Sequence, residues 1–140
     1  QQQPWLQDFV QNAERFLYSE VGGFIQMEGK EVFRRAVRIM VDSATKSMAA
    51  AGVTADQITL VVPHQANIRI IEASCQRLGV SMDKCAIVLD HTGNTSSPSI
   101  PLALAAGLDA DRVKPGALVL LVGFGAGMPA ASAVLRWGGA

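Results

Sequence analysis

The chain has 140 residues, 49% of them hydrophobic and 17% charged, which is enough for one domain with a buried core and excludes a disordered polymer. Its 12 basic residues balance 12 acidic ones and only 6% of the chain is aromatic, so nothing in it points to a nucleic-acid surface. The two cysteines, Cys75 and Cys85, form no CxxC pair and read as buried free thiols, which fits a reduced, cytoplasmic setting.

The start, QQQPWLQDF, has neither the basic region nor the apolar core of a signal peptide, and it lacks a methionine, so the chain is expected to be a piece of something longer. Trp5, Leu6, Phe9, Val10, Ala13, Phe16 and Leu17 follow a helical spacing. GFIQM, at 23–27, reads as a short strand. Phe33, Ala36, Val37, Met40, Val41, Ala44, Met48 and Ala51 then recur every three or four residues, which predicts a long amphipathic helix ended by Gly52 as a left-handed cap.

ITLVV (58–62) is a continuous β-branched run, as expected of a parallel strand covered on both faces. A helix follows from about Ala66 to Leu78, stopped by Gly79, and CAIVL (85–89) reads as another buried strand. Ser97 and Pro98 predict a helix start, a hydroxyl cap before proline at the first helical position, with the end near Gly107. From Gly116 to Leu135 no residue is charged, a length that would reach across a bilayer. Gly123, Gly125, Gly127 and Pro129 divide it, however, into ALVLLV and AASAVLRW, so the expectation is a strand, a turn and an antiparallel strand rather than a membrane span.

This alternation of helices and strands predicts βαβ crossovers and a mostly parallel sheet with an antiparallel strand at its end. Open α/β sheets place their sites in the loops that leave the carboxyl ends of the strands. His64 in VVPHQANIRI follows one strand, Asn94 in DHTGNTSSPSI follows the next, and the glycine turn of GFGAG leaves a third. Position alone leaves the histidine evenly divided between a structural hydrogen-bonder and a functional group. His91 has no acidic or cysteine ligand at useful spacing, so no metal site is expected. Ser96 or Ser97 with His64 lacks the G-x-S-x-G elbow of a hydrolase. GFGAG misses the last glycine of G-x-G-x-x-G and leads into a strand, but such a turn can still offer backbone N–H groups to an oxyanion.

VPHQANIRI, then GNTSSPSIPLAL thirty residues later, then LVLLVGFGAG and a final SAVLRW together resemble β-ketoacyl-acyl carrier protein synthase III, a condensing enzyme of the thiolase superfamily, in its C-terminal half. MEGKEVFRRAV also resembles the segment before that half's first long helix. The resemblance runs from about Phe24 to Trp137. It implies an α/β fold: a thiolase-like lobe at 21–140, with a mixed, mostly parallel five-stranded sheet, helices on both faces and a second lobe elsewhere. Residues 1–20 are then an N-terminal helical or linker segment.

The resemblance implies a reaction as well, in which a cysteine takes an acyl group from acyl-CoA and a malonyl-carrier thioester loses CO₂ and attacks it. His64 and Asn94 match the donors that hold the enolate oxygen, and Gly125, Ala126 and Gly127 match the loop that offers an N–H to the tetrahedral intermediate. Asn67, Arg69 and Phe33 match positions along the pantetheine arm, with an exposed helix arginine and a core phenylalanine as the plainer readings of the last two. Neither Cys75 nor Cys85 matches the nucleophile, which the family carries in its N-terminal half. The implied partners are that cysteine-bearing half, acyl carrier protein and acyl-CoA, in a homodimer of the full enzyme, with no resident cofactor or metal and with CoA or phosphopantetheine thioesters as substrates. The chain alone is expected to be inactive. The alternative is a non-catalytic half of a thiolase-like heteromer that binds acyl-CoA or carrier protein, or that serves only as structure.

Overall fold

A computed structural model describes residues 29–138 throughout and, in addition, two short strands, β1 (Leu17–Ser19) and β2 (Ile25–Met27). These strands pair antiparallel, Leu17 opposite Met27, in a ribbon of their own. Ile25–Met27 of GFIQM are therefore extended, as the composition suggests, but they do not join the main sheet. The helix expected over 5–17 lies outside the described residues except at Leu17, which is in β1.

Helix α1 (Gly29–Ala51) buries Ala36, Val37, Met40, Ala44 and Met48 along one stripe. It ends as the glycine rule predicts. Gly52 has φ +66°, its N–H donates to Ala49 O at 3.1 Å, and Val53 N–H reaches back to Met48 O at 3.0 Å. Helix α2 (Ile68–Leu78) stops in the same way at Gly79, with φ 69°.

The main sheet has the order β3 (Leu60–Pro63), β4 (Leu118–Phe124), β5 (Ala130–Arg136). β3 and β4 are parallel, with Leu60 opposite Val119 and Pro63 opposite Val122. β4 and β5 form the antiparallel hairpin, from Leu118 opposite Arg136 to Phe124 opposite Ala130. The uncharged run at 116–135 is thus this hairpin, and among the described residues no helix is long and apolar enough to cross a membrane. Alternation along the strands builds two cores. Val61, Leu120 and Val122 face α1 and α2, whereas Leu60, Val62 and Val119 face helix α4 (Ser99–Asp109).

Two expectations are corrected. Where five strands were expected, the main sheet has three among the described residues, because Ile25–Met27 pair only in the separate ribbon and CAIVL is not a full strand. Cys85 makes one parallel bridge to Val61, and Ala86 N–H donates to Val61 O at 2.8 Å. Beyond it the side chain of Gln65 replaces the ladder: Nε2 donates to Pro63 O (2.8 Å) and Ala86 O (3.1 Å), and Oε1 accepts Val88 N–H (3.0 Å). The run is apolar because Ala86 and Val88 pack into the second core, and the chain then turns into the short helix α3 (Leu89–Thr92).

The second correction concerns α4, which starts at Ser99 and not at Ser97–Pro98. Pro98 is the cap residue, with φ −64° and ψ −15°, and no side chain caps the helix. α4 ends at Asp109, near Gly107 as expected. That glycine lies inside the helix, where an added Cβ would stand 2.8 Å from Leu60 Cδ2, so its role is close packing against β3.

Candidate functional site

The carboxyl end of β3 sets His64. Its N–H donates to Val122 O at 2.8 Å, which carries the parallel ladder one residue beyond the strand. The ring Nδ1 lies 2.6 Å from Ser99 Oγ, and the same fully buried hydroxyl accepts Gln65 N–H at 3.2 Å. The ring meets Phe124 edge-on, with centroids 5.4 Å apart. Beneath it runs the backbone of Gly123, where a Cβ would stand 3.5 Å from His64 Cβ and 3.1 Å from Ile100 Cδ1. Burial pushes the imidazole pKa below its ordinary value, which favours the neutral ring.

Asn94 reaches the site from a looser loop. α3 ends at Gly93, and the exposed Asn94 accepts Ser96 N–H on Oδ1 at 3.0 Å. This small Asx turn accompanies a left-handed Ser96, with φ 58°. With Oδ1 engaged, the amide keeps its NH₂ as a donor.

The hairpin turn contributes backbone. Gly125 N–H is committed to Pro129 O at 3.0 Å, and Met128 N–H to Gly125 O at 3.0 Å. Ala126 N–H and Gly127 N–H have no hydrogen-bond acceptor among the described residues. The left-handed positions fall on Gly127 (φ 76°) and Met128 (φ 63°), so Ala126 has no need of a glycine's freedom.

His64, Asn94 and Gly125 to Gly127 line one cavity of about 1360 Å³, together with Phe33, Asn67 and Arg69. Asn67 also has a structural task, since its Oδ1 caps α2 by accepting Arg69 N–H at 2.9 Å. Phe33 is half-buried and packs on the first core while facing the cavity, and Arg69 is exposed on the first turn of α2. Cys75 and Cys85 are both buried and line no part of this cavity. His91 is exposed beside Asp90 and also lies outside it. Among the described residues no three His, Cys, Asp or Glu side chains come together as a metal site would require.

Sequence reasoning missed two residues of the site, Gln65 and Ser99. Gln65 is a lone polar residue beside an apolar run, with nothing local to single it out, yet it is fully buried with its amide satisfied on both atoms. Ser99 was hidden behind Ser97 and Pro98, which carry the stronger helix-start signal. Its contact with His64 spans 35 residues and leaves no local pattern.

The family described as 3-oxoacyl-(acyl-carrier-protein) synthase III, C terminal, matches residues 48–137. The β-ketoacyl-(acyl-carrier-protein) synthase III of Deinococcus deserti is 44% identical over 119 residues, which are 85% of this chain and 34% of the relative. That of Roseiflexus castenholzii is 46% identical over 121 residues, 86% of this chain and 37% of the relative. The chain thus spans about a third of the length of the curated relatives it matches. Among solved structures, the synthase III of Thermus thermophilus superposes with a TM-score of 0.83 at 45% identity, covering 93% of this chain and 44% of that one.

Proposed function

This chain belongs to the 3-oxoacyl-(acyl-carrier-protein) synthase III family and has a thiolase-like fold, and from that premise we propose that it supplies the decarboxylating half of a condensing active site. In this reading a malonyl-carrier thioester lies in the cavity with its carbonyl oxygen between His64 and Asn94. The bond from its α-carbon to the carboxylate breaks, CO₂ leaves, and the electron pair moves into an enolate whose oxygen accepts from the imidazole Nε2–H and the Asn94 amide. The α-carbon then attacks an acyl thioester, a carbon–carbon bond forms, and the cysteine thiolate departs. Two neutral donors in a cavity stabilise charge that develops only during reaction, which raises the rate without tightening substrate binding equally.

The glycine turn acts in the acyl-transfer step. Gly125 N–H is already committed, so the donor offered to the tetrahedral oxyanion is that of Ala126 or Gly127. Asn67 and Phe33 flank the pantetheine arm, and Arg69 meets a phosphate or an acidic carrier protein at the mouth. The nucleophile comes from elsewhere, a reading supported by the fact that neither buried cysteine lines the cavity. We place residues 21–140 in one lobe, joined through residues 1–20 to a cysteine-bearing lobe in a homodimer of the full enzyme. CoA and phosphopantetheine thioesters enter as substrates, with no resident cofactor.

The observation that carries the proposal is the meeting of His64, Asn94 and the glycine turn, from three separate loops, at one cavity. The test is release of labelled CO₂ from a malonyl-carrier thioester by this chain mixed with a cysteine-bearing lobe. His64→Ala and Asn94→Ala are each expected to slow release on the order of a hundredfold or more. Unchanged release in either variant overturns the assignment of that residue.

A further inference from the structure

We infer that Ser99 is a positioning residue that fixes which nitrogen of His64 carries the proton, an inference that rests on the donor role given above to the imidazole. A serine hydroxyl holds one proton and two lone pairs. Ser99 Oγ accepts the backbone N–H of Gln65 at 3.2 Å, and its only other polar neighbour among the described residues is His64 Nδ1 at 2.6 Å. If Nδ1 carried the ring proton, Oγ would accept twice and its own O–H would be left without an acceptor at a fully buried site. Leaving a buried donor unpaired is the costly arrangement, so the hydroxyl donates to Nδ1. The chain of bonds therefore runs from Gln65 N–H to Ser99 Oγ, from Ser99 O–H to Nδ1, and leaves the proton on Nε2. The backbone thereby sets the polarity of a side chain at the cavity, and sets it before any substrate arrives.

The test reads the tautomer directly, in this chain and without substrate. Imidazole ¹⁵N spectra at pH 8, with His91→Gln used to assign the two histidines, are expected to show His64 with a proton-bearing Nε2 and a bare Nδ1. In Ser99→Ala the roughly tenfold preference worth one hydrogen bond disappears and the two tautomers mix. Ser99→Thr, which keeps the hydroxyl, restores the wild-type pattern. A proton on Nδ1 in the wild-type chain overturns the inference. So does an unchanged spectrum in Ser99→Ala, and if that variant does not fold the wild-type spectrum decides alone. Because no turnover is measured, the outcome is separate from the His64→Ala test of the proposed reaction.

A second, independent observation concerns the two cysteines. Their Sγ atoms lie 2.8 Å apart, one on α2 and one at the single bridge residue beside β3. The structure assigns them as an oxidisable pair that takes a small disulfide as oxidant. The hydrogen bond between the two sulfurs stabilises a thiolate on either of them, and attack by Cys75 is one of two equivalent routes. The Cys75 thiolate displaces one thiolate from the oxidant and forms a mixed disulfide. Cys85 sulfur, giving up its proton, then displaces the second thiolate from Cys75. Two protein thiols are oxidised and one small disulfide is reduced to two thiols. Access requires local opening at the turn between them, where Gly79, Ser81 and Asp83 are exposed. After incubation with oxidised glutathione, removal of excess reagent and denaturation, the chain is expected to be two hydrogens lighter and to resist alkylation. Two alkylated cysteines, or one persistent glutathione adduct, overturns the assignment.

Discussion

The two loops that bring His64 and Asn94 to the cavity are held in opposite ways. His64 sits at the end of a four-residue buried strand, and its backbone extends the ladder to Val122. Gln65 next to it is fully buried and ties the end of β3 to the 85–89 segment through Pro63 O, Ala86 O and Val88 N–H. Asn94 follows a four-residue helix on an exposed loop, where its own side chain makes one short-range bond to Ser96 N–H. One donor is thus built into the core and the other is held by local turn chemistry. The lesson is that two partners in one site can differ greatly in what they cost the fold, and stability measurements separate them before any activity is assayed.

The largest contrast comes from Gln65→Leu, which keeps much of the volume and removes both polar ends. Val88 N–H then loses its acceptor in a buried setting, and Pro63 O and Ala86 O lose their donor. An expected loss of about 3 kcal/mol follows from unpaired buried groups of this kind. The urea midpoint, with an unchanged slope, measures it. A loss within about 0.5 kcal/mol, the range of ordinary surface substitutions, shows that the histidine loop is not anchored by its buried amide.

Gly123→Ala sharpens the comparison from the other side of the ring. The new Cβ stands 3.1 Å from Ile100 Cδ1 and 3.5 Å from His64 Cβ, so the isoleucine must give way while the imidazole stays in ordinary contact. About 1 kcal/mol of destabilisation is expected from mild overpacking, with movement of the His64 ring resonances and little at Asn94. Equal movement at both residues indicates that the two loops are coupled more tightly than their hydrogen bonds suggest.

Acid provides a third handle, because burial holds the pKa of His64 below the ordinary histidine value. The unfolded chain then binds a proton that the folded chain refuses, so stability falls as pH drops below the unfolded value and levels off below the folded one. Urea midpoints between pH 8 and pH 5 are expected to show this loss in the wild type and to show less of it in His64→Gln. An identical slope in both proteins removes His64 as the source.

The same asymmetry decides what could be read in the sequence. Elements governed by local rules were legible: the glycine caps at Gly52 and Gly79, and the hairpin split by Gly123, Gly125 and Gly127. So was the placing of His64 and Asn94 beyond the ends of apolar runs, since strand ends in α/β sheets carry loops to one side. The fourth strand failed because a run buried by packing and a run buried in a ladder have the same composition. What distinguishes them is the Gln65 amide, which meets Val88 23 residues away. Gly107 shows the same limit: its place near the end of the helix was legible, but its packing was not, because the 2.8 Å between an added Cβ and Leu60 Cδ2 spans 47 residues of sequence.

The smallest effect tests the looser loop. Ser96 is left-handed, at φ 58°, a conformation unfavourable for a residue with a β-carbon, and Asn94 Oδ1 accepts its N–H from a single exposed side chain. Asn94→Ala removes that bond and is expected to cost about 0.5 kcal/mol, the low end for a hydrogen bond open to water. Ser96→Gly relieves the left-handed strain but loosens the unfolded chain, so its own effect stays within roughly 0.5 kcal/mol. The informative quantity is the double variant: once glycine occupies position 96, the turn no longer depends on the asparagine, and Asn94→Ala is expected to cost less there than in the wild type. A full, additive cost in the double variant means that Asn94 is held by something other than its turn, and the distinction between a core-built and a locally held donor then fails at its weaker end.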